Sequence, residues 1–90
     1  MADKTVEMAI LDMADEFIAV ANRLLEEEGK DLGHISTAIR YAAARFSAHE
    51  AACRSADLVA DKDKAEKWYG DQFSHMLTEN LDQHISMRQQ

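Results

Sequence analysis

The apolar positions of the chain repeat at helical, never at strand, intervals. Val6, Ile10, Met13, Phe17, Val20 and Leu24 recur at spacings of 4, 3, 4, 3 and 4, the repeat that keeps side chains on one face of an α-helix. A second stripe of Leu11, Ala14, Ile18, Ala21 and Leu25 runs beside it. Together they predict a first helix over about 5–28, with an apolar face wider than one partner helix can cover. Asp3 or Thr5 can supply its N-cap, and Gly29 marks its end as the residue that tolerates a left-handed conformation. Glu26, Glu27 and Glu28 stand at that end, where carboxylates oppose the helix dipole. They call for a cation from elsewhere in the chain or its surroundings.

The stripe Ile35, Ile39, Ala42, Phe46, His49 and Cys53 repeats the spacing and predicts a second helix over about 35–55, after a connection at Lys30-Asp31-Leu32-Gly33. Its many alanines make it thin, as suits the central element of a bundle. A third helix is predicted over about 62–85, with Ala65, Tyr69, Phe73, Met76, Leu77, Leu81 and Ile85 inward and Asp57 or Asp61 as N-cap. Gly70 within it predicts close packing or a bend, and Met87 to Gln90 are expected to fray. The chain has no proline, three glycines and fifteen alanines, and no segment alternates as a strand does. The expected fold is all-α: one domain over residues 1–90, an antiparallel three-helix bundle, dimerising because so small a domain needs a partner for so much apolar surface.

Composition narrows the function. Ninety residues allow one domain. Cys53 is the only cysteine, so no intramolecular disulfide forms, which fits a reducing cytosol. The segment Met1 to Glu7 lacks the basic and apolar regions of a secretory signal, and no apolar run approaches the roughly 20 residues that span a bilayer. A cytoplasmic location is expected. The net charge of −7 argues against nucleic acid and against anionic membrane surfaces. The middle of the chain differs in sign: residues 30–56 carry Lys30, Arg40, Arg45 and Arg54 against Asp31 and Glu50. Either internal charge pairing or an acidic partner follows.

Candidate chemistry is sparse. No Glu-x-x-His pair occurs, as di-iron bundles require. His49 with Cys53, Asp71 with His75, and His75 with Glu79 are spaced i,i+4. The first pair suits one side of a metal site or a thiolate–imidazole couple, but no further ligands, orienting group or glycine-rich phosphate loop accompany it. Cys53 therefore reads as a small buried hydrophobe, His49 as a core-edge residue and His75 as solvated. No cofactor, metal site or catalytic residue is expected, and an enzyme ranks last among the readings. Arg45, set among Tyr41, Ala42, Ala43, Ala44 and Phe46, would need a carboxylate if buried; Asp15, Glu16 and Asp82 are candidates. It reads as an interhelical ion pair or as a ligand anchor, with Arg45, Asp15, Tyr41 and Asn80 as the candidate binding set. Asn22 and Asn80 also read as packing or capping amides. Trp68 and Tyr69, with Met8, Met13 and Met76, suit core packing, a dimer contact or an adaptable groove for a partner helix.

Three segments carry a family likeness: Met13-Ala14-Asp15-Glu16-Phe17-Ile18-Ala19-Val20-Ala21-Asn22; Ala38 to Phe46, with Tyr41-Ala42-Ala43-Ala44-Arg45-Phe46 the most specific part; and Asp71-Gln72-Phe73 with Met76-Leu77 and Asn80-Leu81-Asp82. In order and spacing they resemble a family of short bacterial proteins known as domain of unknown function (DUF) number 3144, over about residues 7–85. The resemblance implies an all-α fold and a bacterial source. It implies no activity and carries no catalytic residues over. His49 departs from the pattern, which favours a bulky apolar residue there, and this weakens a ligand role for it. The expectation is a small cytosolic interaction or regulatory module, forming a homodimer or binding another protein. The alternative is a small-molecule or anion-binding helical protein with its site near Arg45.

Overall fold

A computed structural model describes residues 5–89. The described chain is three helices, α1 (Val6–Glu26), α2 (Leu32–Arg54) and α3 (Leu58–Arg88), so the all-α expectation holds. Each boundary has a local cause. Thr5 caps α1, its Oγ1 accepting the Met8 N–H at 3.1 Å; Asp3 lies outside the described residues. At the other end Gly29 has φ +62°, a conformation that costs an L side chain about 1–2 kcal/mol. This turn brings the Lys30 N–H back to the Leu24 carbonyl at 3.0 Å, satisfying one of the last unpaired acceptors. Arg23 forms an ion pair with Glu28, which answers one of the three acids at this end.

Helix α2 starts three residues before the predicted position. Asp31 explains the difference: its Oδ2 accepts the His34 N–H at 3.0 Å, while its carbonyl accepts the Ile35 N–H at 3.0 Å. Gly33 is therefore a first-turn residue rather than part of a loop. Helix α3 starts four residues early for the same reason, with Asp57 accepting the Ala60 N–H at 3.2 Å. No glycine makes the corner before it. The Asp57 N–H donates to Ser55 Oγ at 3.1 Å, and the Ser55 hydroxyl donates to Asp61 at 2.6 Å. At its C-terminus α3 runs on to Arg88, three residues past the predicted end, with Gln89 as its C-cap; Gln90, the last of the residues expected to fray, lies outside the described residues. At Gly70 an added Cβ would meet open space, which excludes close packing as its reason.

The chain divides into two compact units, Met1–Arg45 and Phe46–Gln90, with the division inside α2. In the first unit burial gathers next to the turn between helices. Ile35, 8% exposed, is the only buried residue among those described, and Ala21, Leu24, Ser36 and Ile39 around it are half-buried. In the second unit Ser47, Glu50, Ala51, Ser55, Asp61, Ala65 and Tyr69 are half-buried about the α2–α3 corner. The rest of both inward stripes is exposed. Phe46, His49 and Cys53 of α2 are exposed, as are Phe73, Met76, Leu77, Leu81 and Ile85 of α3. No described helix is long and apolar enough to cross a membrane.

Candidate functional site

Helix α1 has the clearest segregation of apolar from charged residues. Asp12, Asp15, Glu16, Asn22, Arg23 and Glu26 occupy one side at 3.6 residues per turn. Val6, Ile10, Leu11, Met13, Phe17, Ile18, Val20 and Leu25 occupy the other, and all eight are exposed, from Leu25 at 37% through Phe17 at 68% to Val6 at 77%. No residue of α1 is buried. The stripe from Val6 to Leu24 is about 27 Å long at 1.5 Å per residue. Isolated exposed leucines are ordinary, but a continuous apolar face of this length is not. Met8 falls on the charged side, apart from Met13. Of the methionines that suggested an adaptable groove on this helix, Met13 alone lies on the face.

In the second unit, a polar cluster ties α2 to α3. The Tyr69 hydroxyl donates to Glu50 Oε1 at 2.6 Å, and Arg54 pairs with Glu50 Oε2 at 3.0 Å. The hydrogen bond to Glu50 holds the Tyr69 phenol above its ordinary pKa of 10.0, with partial burial and the carboxylate charge adding and Arg54 opposing. Trp68 meets Tyr69 edge-on at 4.9 Å between ring centroids. Beside them lies an open groove of about 340 Å³ lined in part by Arg54, Ser55, Leu58, Lys64 and Trp68. Glu50 and this corner were not among the candidate residues read from the sequence. The available signal was the i,i+4 pair of Glu50 with Arg54 in the basic stretch of the chain.

The candidate binding residues are differently placed. Arg45 is exposed, with its guanidinium 5.1 Å from the Tyr41 ring centroid, so it needs no carboxylate to compensate burial. A cation–π contact at an exposed site contributes about 0.5–1 kcal/mol. Asp15 is exposed on the charged side of α1, and no ion pair joins it to Arg45 among the described residues. The Asn80 amide donates to the Met76 carbonyl one turn back at 2.8 Å, a contact within its own helix. Arg45 lines neither of the two open grooves of the second unit.

Cys53, expected in the core, is exposed. Its Sγ lies 3.7 Å from His49 Nε2, and the His49 ring is 5.8 Å from that of Phe46. The stripe that placed Cys53 and His49 inward is real as a helix face, but neither residue is covered. His75 is solvated as expected, 3.1 Å from Glu79. Among the described residues no three His, Cys, Asp or Glu side chains gather as metal ligands.

The chain matches the family model described as "Protein of unknown function (DUF3144)" over residues 10–85. No curated protein and no solved structure matches the chain.

Proposed function

The chain belongs to the DUF3144 family of proteins of unknown function, and from that premise we propose that it is a small interaction or regulatory module that docks protein through the apolar face of α1. One observation carries the reading: eight large apolar side chains on one side of α1 are exposed, and no α1 residue is buried. Apolar surface of this extent is costly to leave in water, at about 25 cal/mol per Å². The partner is a protein, because the net charge of −7 disfavours both nucleic acid and anionic lipid. The same reading makes the module a cytoplasmic protein of a bacterial cell.

Methionine oxidation tests it. Met13 lies on the proposed surface, whereas Met87 is 60% exposed near the end of α3. With the surface occupied, peroxide should oxidise Met13 more slowly than Met87. Phe17→Glu, or dilution of the protein, should bring the two rates together. Equal rates both in the undiluted wild type and in lysate of its own cells would overturn the reading. So would protection of Met13 that survives dilution, which would make the face part of the chain's own core.

The second reading is an anion or small-molecule site near Arg45. It draws on the exposed guanidinium held over Tyr41. Arg45→Met separates the two: a ligand anchor would lose binding with the fold intact, whereas the interaction reading leaves Met13 protection unchanged.

A further inference from the structure

Accepting the α1 face as a docking surface, we propose that its occupant is a second copy of this chain, with the two α1 helices side by side and antiparallel. The argument begins with area. The seam of one helix laid on another takes in Val6, Ile10, Met13, Phe17 and Val20, all exposed, which at roughly 60–100 Å² each supply roughly 300–500 Å² of apolar surface per chain. Apolar atoms make up a little over half of a typical interface, so the contact would cover roughly 500–900 Å² on each copy. That range reaches the roughly 800 Å² per partner of a standard interface, and the two copies contribute identical surface, as a twofold interface requires.

The direction follows from the residues at each end. The stripe spacing of 4, 3, 4, 3 and 4 reads the same from either end, so an antiparallel copy presents Leu24 to Val6, Val20 to Ile10 and Phe17 to Met13. Each layer then joins different side chains, rather than stacking Phe17 on Phe17 and Val6 on Val6. Charge points the same way. A parallel pair would set Glu26, Glu27 and Glu28 of both copies side by side. An antiparallel pair sends them to opposite ends, about 30 Å apart for a helix of 21 residues, well beyond the screening length of about 10 Å. There they adjoin the partner's α1 N-terminus, the positive end of its dipole. This gives Glu26 and Glu27 the favourable neighbour that their own helix denies them, Glu28 being already paired with Arg23. Asp12, Asp15 and Glu16 lie on the far side of α1 from the contact. Glu7, the one acid within the apolar sector, lies at the edge of the contact.

The test uses the full chain in a Cys53→Ser background. Light scattering after gel filtration should give about twice the chain mass of 10.1 kDa, falling to one chain in Phe17→Glu. Two single-cysteine variants, Ile10→Cys and Val20→Cys, then report direction by oxidative crosslinking. A mixture of the two should form the 10–20 crosslink at least tenfold faster than either variant crosslinks to itself. Faster 10–10 and 20–20 crosslinks would overturn the antiparallel arrangement. A single-chain mass at every concentration would overturn the second copy as occupant, and circular dichroism of Phe17→Glu then separates the two claims. Unchanged helicity would leave the face open to a different protein, whereas lost helicity in a monomer would show the face to be internal core and remove the docking reading as well.

Discussion

Two glycines of this chain should respond in opposite directions to the same substitution. Gly29 closes α1 with φ +62°, and a Cβ added there would meet no atom within 4 Å. Gly29→Ala therefore introduces backbone strain alone, about 1–2 kcal/mol for the left-handed conformation. Against this stands about 0.4–1 kcal/mol from the smaller conformational freedom of alanine in the unfolded chain. The net loss should be about 0–1.6 kcal/mol, near 0.8 at the midpoints. Gly70 lies exposed inside α3, and its added Cβ also meets open space. Helical backbone suits alanine, so Gly70→Ala should stabilise by about 1 kcal/mol. For a domain of this size 1 kcal/mol moves Tm by about 4–8 °C, so Gly70→Ala should melt about 4–21 °C above Gly29→Ala. The assay is thermal unfolding followed by circular dichroism, at one protein concentration because association shifts Tm. The reasoning fails if Gly29→Ala is more stable than the wild type, or if Gly70→Ala is less stable.

Three further outcomes are expected. Asp57→Ala removes the carboxylate that caps α3 and should cost about 1 kcal/mol in urea unfolding, within the usual range for N-cap loss. The Tyr69 phenol is held above its ordinary pKa of 10.0, so its hydrogen bond contributes stability that is whole below pH 10 and lost as pH rises through the folded value. In a Tyr41→Phe background, ultraviolet titration should show Tyr69 ionising above pH 10, and Glu50→Gln should lower that midpoint. Cys53 is exposed, so a maleimide should label the folded protein as fast as the urea-unfolded chain within about a factor of ten, the thiolate being the reacting form in both.

The number and type of elements were legible in the sequence, because three uninterrupted apolar stripes without proline allow little else. The starts of α2 and α3 were legible only in part. Asp31 and Asp57 are ordinary capping residues, but Gly33 suggested a loop, and two aspartates competed for the α3 cap. Glycine in the first turn is tolerated when a carboxylate caps it, as Asp31 does. The candidate surface was legible as a double stripe on the first helix. What periodicity does not encode is whether a face is covered. Phe46, His49 and Cys53 follow the same repeat as Ile35 and Ile39, yet only the two isoleucines, close to the α1–α2 turn, are withdrawn from solvent. The polar cluster of Glu50, Arg54 and Tyr69 escaped notice because half of it is an i,i+4 pair common on helix surfaces, while Tyr69 joins from nineteen residues away.

The two corners differ in how descent can alter them. The first rests on one backbone conformation at Gly29, amid the exposed residues 27–31. The second fixes Ser55 and Asp61 six residues apart through a direct side-chain bond, with Asp57 held between them. An extra residue in the first corner lengthens a solvated connection, at an entropic cost that grows only slowly with length. An extra residue in the second breaks the Ser55–Asp61 separation and rotates α3 relative to its cap. Lineages that diverge in length should therefore gather their insertions at 27–31 and keep 55–61 invariant in length. Drift at the second corner must replace Ser55 and Asp61 together, whereas Asp57, which meets Ser55 through its backbone N–H, can give way to another capping residue.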